Sequence, residues 1–219
     1  MSTLPEKPDS GGRIGRPVDP AKRAAIVEAA GKSFFDVGYA ATSIEQVAMV
    51  AGVSKVTIYN HFGDKRGLLT AAVERECETM RRHFKLEDVG KGTLRERLTA
   101  IGEAMMAFLS RPEMVQFERR IAAETEHEPA IGEAFLKAGP HRVKAAFTML
   151  IQAMHAAGEV EVADPVLAAE QFAAMCKGMG DLDRRFGLPR DEQRDRERIA
   201  GAVEVFCAAY ATGKTRPKG

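Results

Sequence analysis

Lys55, Val56, Thr57, Tyr59, Asn60 and His61 crowd into the stretch AGVSKVTIYNHFGDKRGLL, Ala51 to Leu69. An ammonium, a hydroxyl, a phenol, a carboxamide and an imidazole this close together do little for packing. They are donors and acceptors of the kind that read nucleic acid. On a helix, Ser54, Ile58 and Phe62 share one face at i, i+4, i+8 and anchor it, so Val56, Thr57, Tyr59 and Asn60 point away. A helix of this size fits the major groove with its N-terminal residues against base edges. Lys55 can donate to guanine O6 or N7. Thr57 can donate or accept, and Val56 can touch a thymine methyl. Tyr59 and Lys65 suit phosphate oxygens. So do Thr42 or Ser43 and the N–H groups that open the second and fourth helices. Arg13 and Arg16 lie on a basic N-terminal arm that can enter a neighbouring minor groove.

Several elements must position that helix. Asp19 and Pro20 form an N-cap and first helical residue, and Ile26, Ala29, Ala30, Phe34 and Val37 recur at helical spacing up to the stop at Gly38. The second helix starts at Thr42 or Ser43, because Thr42 with Glu45 and Ser43 with Gln46 each have capping-box spacing. Gly52 ends it. Ser54 caps the third helix, with Val53 and Ile58 in the staple positions, and Gly63-Asp64 breaks the chain before a fourth helix from Lys65 to about Phe84. Two short helices joined by AGVS have the length and turn of a helix-turn-helix.

The rest of the chain reads as helix after helix. Segments run from Thr93 to Leu109, from Pro112 to Thr125, from Pro129 to Ala157 with a break near Gly139-Pro140, from Asp164 through DPVLAAEQFAAMCKGMG, and from Asp191 to Tyr210. No period-2 alternation and no repeat are evident, so the expected fold is all-α. The expected organisation is an arm over residues 1–18, a three-helix DNA-binding unit over 19–66 and a C-terminal helical bundle over 67–219.

Of the 219 residues, 45% are apolar and 29% charged, and the net charge is +1. This suits a globular protein and gives no global pull toward nucleic acid. No run approaches the ~20 apolar residues of a membrane helix, and MSTLPEKPDSGG lacks a signal-peptide core, so a cytoplasmic protein without a membrane partner is expected. Cys77, Cys176 and Cys207 are widely spaced, and His127, His141 and His155 recur fourteen apart, which is no metal-ligand spacing. No cofactor is expected. No phosphate loop, nucleophile signature or paired-carboxylate motif stands out, so an enzyme would need residues assembled only by folding. A protein-interaction scaffold, the third alternative, would lack salt-dependent DNA affinity.

The stretch GYAATSIEQVAMVAGVSKVTIYNHFGDKRGLL resembles the DNA-binding domain of the TetR family of bacterial transcriptional regulators. Gly38-Tyr39, Thr42-Ser43, Val47-Ala48, Ala51 to Ser54, Ile58-Tyr59, His61-Phe62, Lys65 and Leu68-Leu69 carry the likeness. The resemblance implies a homodimer on a palindromic double-stranded operator, acting as a repressor and released by a small molecule in the C-terminal domain. An activator of the same fold is the alternative. By position, Lys55, Val56 and Thr57 would face bases, and Thr42, Ser43, Tyr59, His61 and Lys65 phosphates. Val56 departs from the family's usual Gly, Pro or Ala, which puts the base preference or the depth of helix approach in doubt.

QFERRIAAETEHEPAIGEAFLKAGP and DPVLAAEQFAAMCKG look like the C-terminal domain of the AefR-like branch of the family. Met105, Phe108, Phe117, Phe147, Met149, Phe172 and Met175 are candidate lining for a mostly apolar effector. Glu118, Arg119 and His141 are more simply solvated surface. Ala169 and Ala173 with the stripe Ile199, Val203, Phe206 and Tyr210 suggest a four-helix dimer interface, as the family makes. On that reading Phe206→Asp yields folded monomers. If the stripe is intramolecular core, it yields unfolding. The fourth helix, the covalent link between the two parts, is expected to carry an effector's shift to the DNA.

Overall fold

The computed structural model describes residues 19–83 and 92–213, with the backbone alone for 80–83. The basic arm with Arg13 and Arg16 lies outside the described residues. Asp19 caps α1 (Pro20–Val37) by accepting from the N–H groups of Ala21 and Lys22, and Gly38 at φ 91° ends it. Ser43 caps α2 (Ile44–Val50), and Ser54 caps α3 (Lys55–Phe62). The described residues continue through α4 (Lys65–His83), α5 (Leu94–Leu109), α6 (Pro112–Thr125), α7 (Pro129–Ala138), α8 (Pro140–Ala156), α9 (Pro165–Arg185) and α10 (Glu192–Tyr210). The break between α7 and α8 falls at Gly139-Pro140, where proline cannot continue the helix. The fold is all-α, with one isolated bridge, Val160 to Ala211, among the described residues.

Two apolar cores organise the helices. The first joins Ile26, Phe34, Ile44, Val47, Ile58, Leu68 and Leu69 of α1–α4 to Met114, Phe117 and Ile121 of α6 and Ile131 of α7. The helix-turn-helix thus shares its core with the body rather than hanging from α4 alone. Phe117, 1% exposed, stacks on Phe35 of α1 at 4.3 Å and meets the edge of Phe135 of α7 at 5.8 Å. The second core joins Leu98 and Met106 of α5, Ile151 and Met154 of α8, Ala168, Phe172 and Cys176 of α9, and Ile199, Val203 and Phe206 of α10.

Two close approaches explain glycines that periodicity passes over. A Cβ on Gly67 would lie 2.0 Å from the Phe62 carbonyl oxygen, so only glycine lets α4 start this close to the end of α3. Gly178 breaks α9 at φ 48°, ψ −154°. Beside that break, Arg198 of α10 crosses within 3.0 Å of where a Cβ would stand. The same Arg198 reaches the buried Asp195, whose carboxylate also accepts from Arg190 at 2.9 Å and Arg184 at 3.4 Å.

The expected dimer stripe is intramolecular. Ala169, Ile199, Val203 and Phe206 are at most 3% exposed, and Tyr210 rests its ring on Phe206 at 5.0 Å. Ala173 is half-buried. This face of α10 closes the second core against α9 and is not left for a partner. The small and apolar residues that remain outside are others. On α9 they include Leu167, Ala174, Gly178 and Leu182, and on α10 Gly201, Val205 and Ala208.

Candidate nucleic-acid interface

The recognition helix is built from its cap outward. The Ser54 hydroxyl accepts from the Thr57 N–H at 3.1 Å and touches the Thr57 hydroxyl at 2.8 Å, so both begin α3 already ordered. Ile58, 1% exposed, roots the helix in the first core, while Phe62 packs against that core under the Arg23 guanidinium. Lys55, Val56, Tyr59 and Asn60 stand exposed on the opposite side, with Val56 at 65% and Tyr59 at 41%. Thr57 and His61 are half-buried at its edge. The structure thus collects Ser54, Lys55, Val56, Thr57, Tyr59, Asn60 and His61 on one short helix with its apolar face anchored.

Other expected contacts are placed differently. Thr42 is 3% exposed, and its hydroxyl donates to the Gly38 carbonyl at 2.7 Å and lies 3.1 Å from the Ser33 hydroxyl. It ties the α1–α2 turn together and is not available to a phosphate, which corrects the sequence reading. Ser43, half-buried, is the true cap, accepting from the Gln46 N–H at 3.3 Å. Lys65 donates to the Ala40 carbonyl at 3.0 Å and lies 4.7 Å over the Tyr39 ring. Partial burial lowers its pKa, and burial pushes the Tyr39 phenol up to about 12. Tyr39 is thus a neutral ring under the Lys65 ammonium. The first turn of α4 is capped by its own carboxylate, since Asp64 accepts from the Gly67 N–H at 2.7 Å, which weakens that helix start as an anion site. The Lys55 ammonium pairs with Glu45 of α2 and also lies 5.9 Å from the Tyr59 ring.

Sequence reasoning missed a polar seam between α6 and the helix-turn-helix. Arg120 donates to the carbonyls of Phe35 and Asp36, at 2.6 and 2.8 Å, at the last turn of α1. Glu124 accepts from the Ala40 N–H with both oxygens, at 3.1 and 3.0 Å. Both residues look like ordinary surface charges in sequence, because their partners are backbone atoms. Immediately before Arg120 on α6, Arg119 donates to the Arg184 carbonyl and Glu118 pairs with Arg185 at 3.3 Å, both on α9. Neighbouring residues of one helix, turned to different faces, therefore grip the DNA-binding unit and α9. The fourth helix remains the covalent link but is not the sole contact.

The seven candidate pocket residues are divided between the two cores and the surface. Phe117 and Phe108 belong to the first core, while Phe172, Phe147, Met105 and Met175 belong to the second or pack on it. Met149 is 68% exposed. It lines an open groove of about 300 Å³ between α4 and α8, with Cys77, Glu78, Arg142, Val143 and Ala146 among the other walls. Burial pushes the Cys77 thiol up to about 11, so it is a packing group there and not a nucleophile. Among the described residues no group of three His, Cys, Asp or Glu is placed to hold a metal, and no helix is long and apolar enough to cross a membrane.

Comparisons with known proteins agree with this geometry. Residues 26–72 match the family described as bacterial regulatory proteins, tetR family, and residues 96–212 match the AefR-like transcriptional repressor, C-terminal domain. The transcriptional activator FasR of Mycolicibacterium smegmatis is 32% identical over 106 residues, 48% of each chain. The regulator TtgR of Pseudomonas putida is 40% identical over 57 residues, 26% of this chain and 27% of its own. The chain thus spans half or less of the length of these curated relatives. Among solved structures, a TetR-family regulator from Mesorhizobium loti superimposes with a TM-score of 0.74 at 26% identity, covering 88% of this chain and 98% of that one. The flavonoid-responsive regulator FrrA superimposes with a TM-score of 0.72 at 27% identity, covering 89% and 100%. These relatives are regulators of transcription and not enzymes, and the chain, with its helix-turn-helix and its AefR-like C-terminal domain, belongs to the TetR family of transcriptional regulators.

Proposed function

We propose that the protein is a homodimeric repressor that binds a palindromic operator and releases it when a small, mostly apolar molecule binds the C-terminal helices. The observation that carries this reading is α3, whose buried Ile58 fixes an outward row of Lys55, Val56, Tyr59 and Asn60. Selection of bound sequences from random DNA tests it. A palindrome with half-sites about one turn apart, ~34–36 Å, is expected. Lys55→Ala should shift the selected base at one position per half-site, a loss of ~1–3 kcal/mol confined to that position. Equal weakening at every position would place Lys55 on phosphate instead. Activation is the second reading, because FasR is named an activator, whereas the C-terminal match names repressors. Transcription in vitro from a promoter carrying the selected site decides between them.

An organic effector is supported by FrrA, which is named as flavonoid-responsive. Such a ligand acts only by favouring another spacing of the two recognition helices. The α6 seam is the element placed to transmit it. Arg120→Met with Glu124→Gln is expected to lower operator affinity ~5–150-fold, the size of a typical coupling, and to leave binding to random duplex unchanged. Loss on both duplexes alike would mean that the headpiece itself is damaged. By linkage, operator DNA weakens effector binding by the factor that effector weakens DNA.

A further inference from the structure

We propose that Glu45 is a specificity-determining residue of the DNA interface, whose carboxylate holds the Lys55 ammonium and the Ser43 hydroxyl and so withholds both from the phosphates of arbitrary DNA. The inference rests on the proposed contact roles of Lys55 and Ser43. Glu45 stands in the first turn of α2, across the tight turn from the start of α3. One of its oxygens pairs with Lys55 and the other accepts from Ser43 at 3.0 Å. Ser43 meanwhile caps α2, so a single carboxylate ties the entry of one helix to the first residue of the next. The pair is on the surface, with the Lys55 side chain 48% and the Glu45 side chain 65% exposed. It is therefore reachable by DNA and weak enough to open.

The charges explain what the pair does. An acidic group beside a phosphate-facing helix start opposes DNA, and a lysine already neutralised releases no counterion when it meets a phosphate. A guanine edge offers Lys55 directed acceptors and compensates for the broken pair, whereas a bare phosphate offers only what Glu45 already gives. Discrimination then comes from penalising the wrong partner, in the manner of designed specificity. The Lys55 hydrogen bond, then the backbone and Ser43, hold the Glu45 carboxyl at about 2. The pair thus stays charged across ordinary pH and does not act as a pH switch.

The test compares wild type, Glu45→Gln, Lys55→Ala and the double variant on a random-sequence duplex, by fluorescence anisotropy over a range of salt. Glutamine keeps the shape of the side chain and an acceptor for Ser43, and circular dichroism confirms the fold. Removing the exposed pair should tighten random-duplex binding by about 1.5–5-fold for each recognition helix. The slope of log affinity against log salt should steepen by about 0.9 for each helix. Most of the gain should vanish without Lys55, and sequences selected by Glu45→Gln should show flatter base preferences. Unchanged or weaker binding by Glu45→Gln overturns the inference, as does a gain equally large without Lys55. If wild type binds no duplex at all, the contact roles fail with it. If wild type binds and Glu45→Gln matches it, this inference alone fails.

Discussion

Phe206→Asp is expected to unfold the C-terminal helices rather than release folded monomers. Phe206 is 1% exposed and meets the Phe172 ring edge-on at 5.7 Å and the Tyr210 ring at 5.0 Å, deep in the second core. Truncating such a phenylalanine to alanine costs ~3–5 kcal/mol. Aspartate adds a buried carboxylate with no cation among its apolar neighbours, a further cost of several kcal/mol unless it takes up a proton. Against a total stability of ~5–15 kcal/mol this leaves little or none. Far-UV circular dichroism with a urea titration should show lost helix or a midpoint near zero denaturant. Phe206→Leu, which keeps an apolar group of similar volume, should cost less than about 1.5 kcal/mol. A Phe206→Asp protein with a native melting curve and a halved mass would restore the stripe to the dimer interface.

What the sequence made legible was local. Asp19, Ser54 and Gly38 cap or stop their helices within four residues of their partners, and those signals hold in the structure. So does the break at Gly139-Pro140. Thr42 and Ser43 offered equal capping spacings, and the choice between them was made by the fold, since the Thr42 hydroxyl is taken by Gly38 and Ser33. The stripe on α10 had the right period and the wrong neighbour. Periodicity marks an apolar face but cannot say whether the chain's own α9 or a second copy covers it. Phe117 shows the same limit, since its partners Phe35 and Phe135 lie on separate helices. Arg120 and Glu124 had no signal at all, because a carbonyl and an N–H in a turn carry no side-chain identity. The pairing of Lys55 with Glu45 spans the turn between α2 and α3, outside the i, i+4 rule that governs charge pairs on one helix.

Leu182→Asp should do what Phe206→Asp cannot, and split the proposed dimer while sparing the fold. Leu182 and Leu167 each lie 47% exposed on α9, and Val205 stands 54% exposed on α10 beside the small residues Gly201 and Ala208. Small residues let helices approach closely, and the leucines and valine supply apolar area. A two-fold interface repeats every residue, so one substitution places two carboxylates in it. In the monomer the same side chain is half in water, and the change should alter stability by less than about 1 kcal/mol. The effect on DNA is much larger. A dimer binds its second half-site as an intramolecular event, which strengthens binding ~10²–10⁴-fold. Losing it corresponds to about 2.8–5.6 kcal/mol at 1.4 kcal/mol per tenfold. Light scattering should report the monomer mass, thermal melting should stay near wild type, and operator affinity should fall by that factor. An intact Leu182→Asp dimer would move the interface away from this face of α9, and a monomer that still binds the full operator tightly would show that one recognition helix suffices.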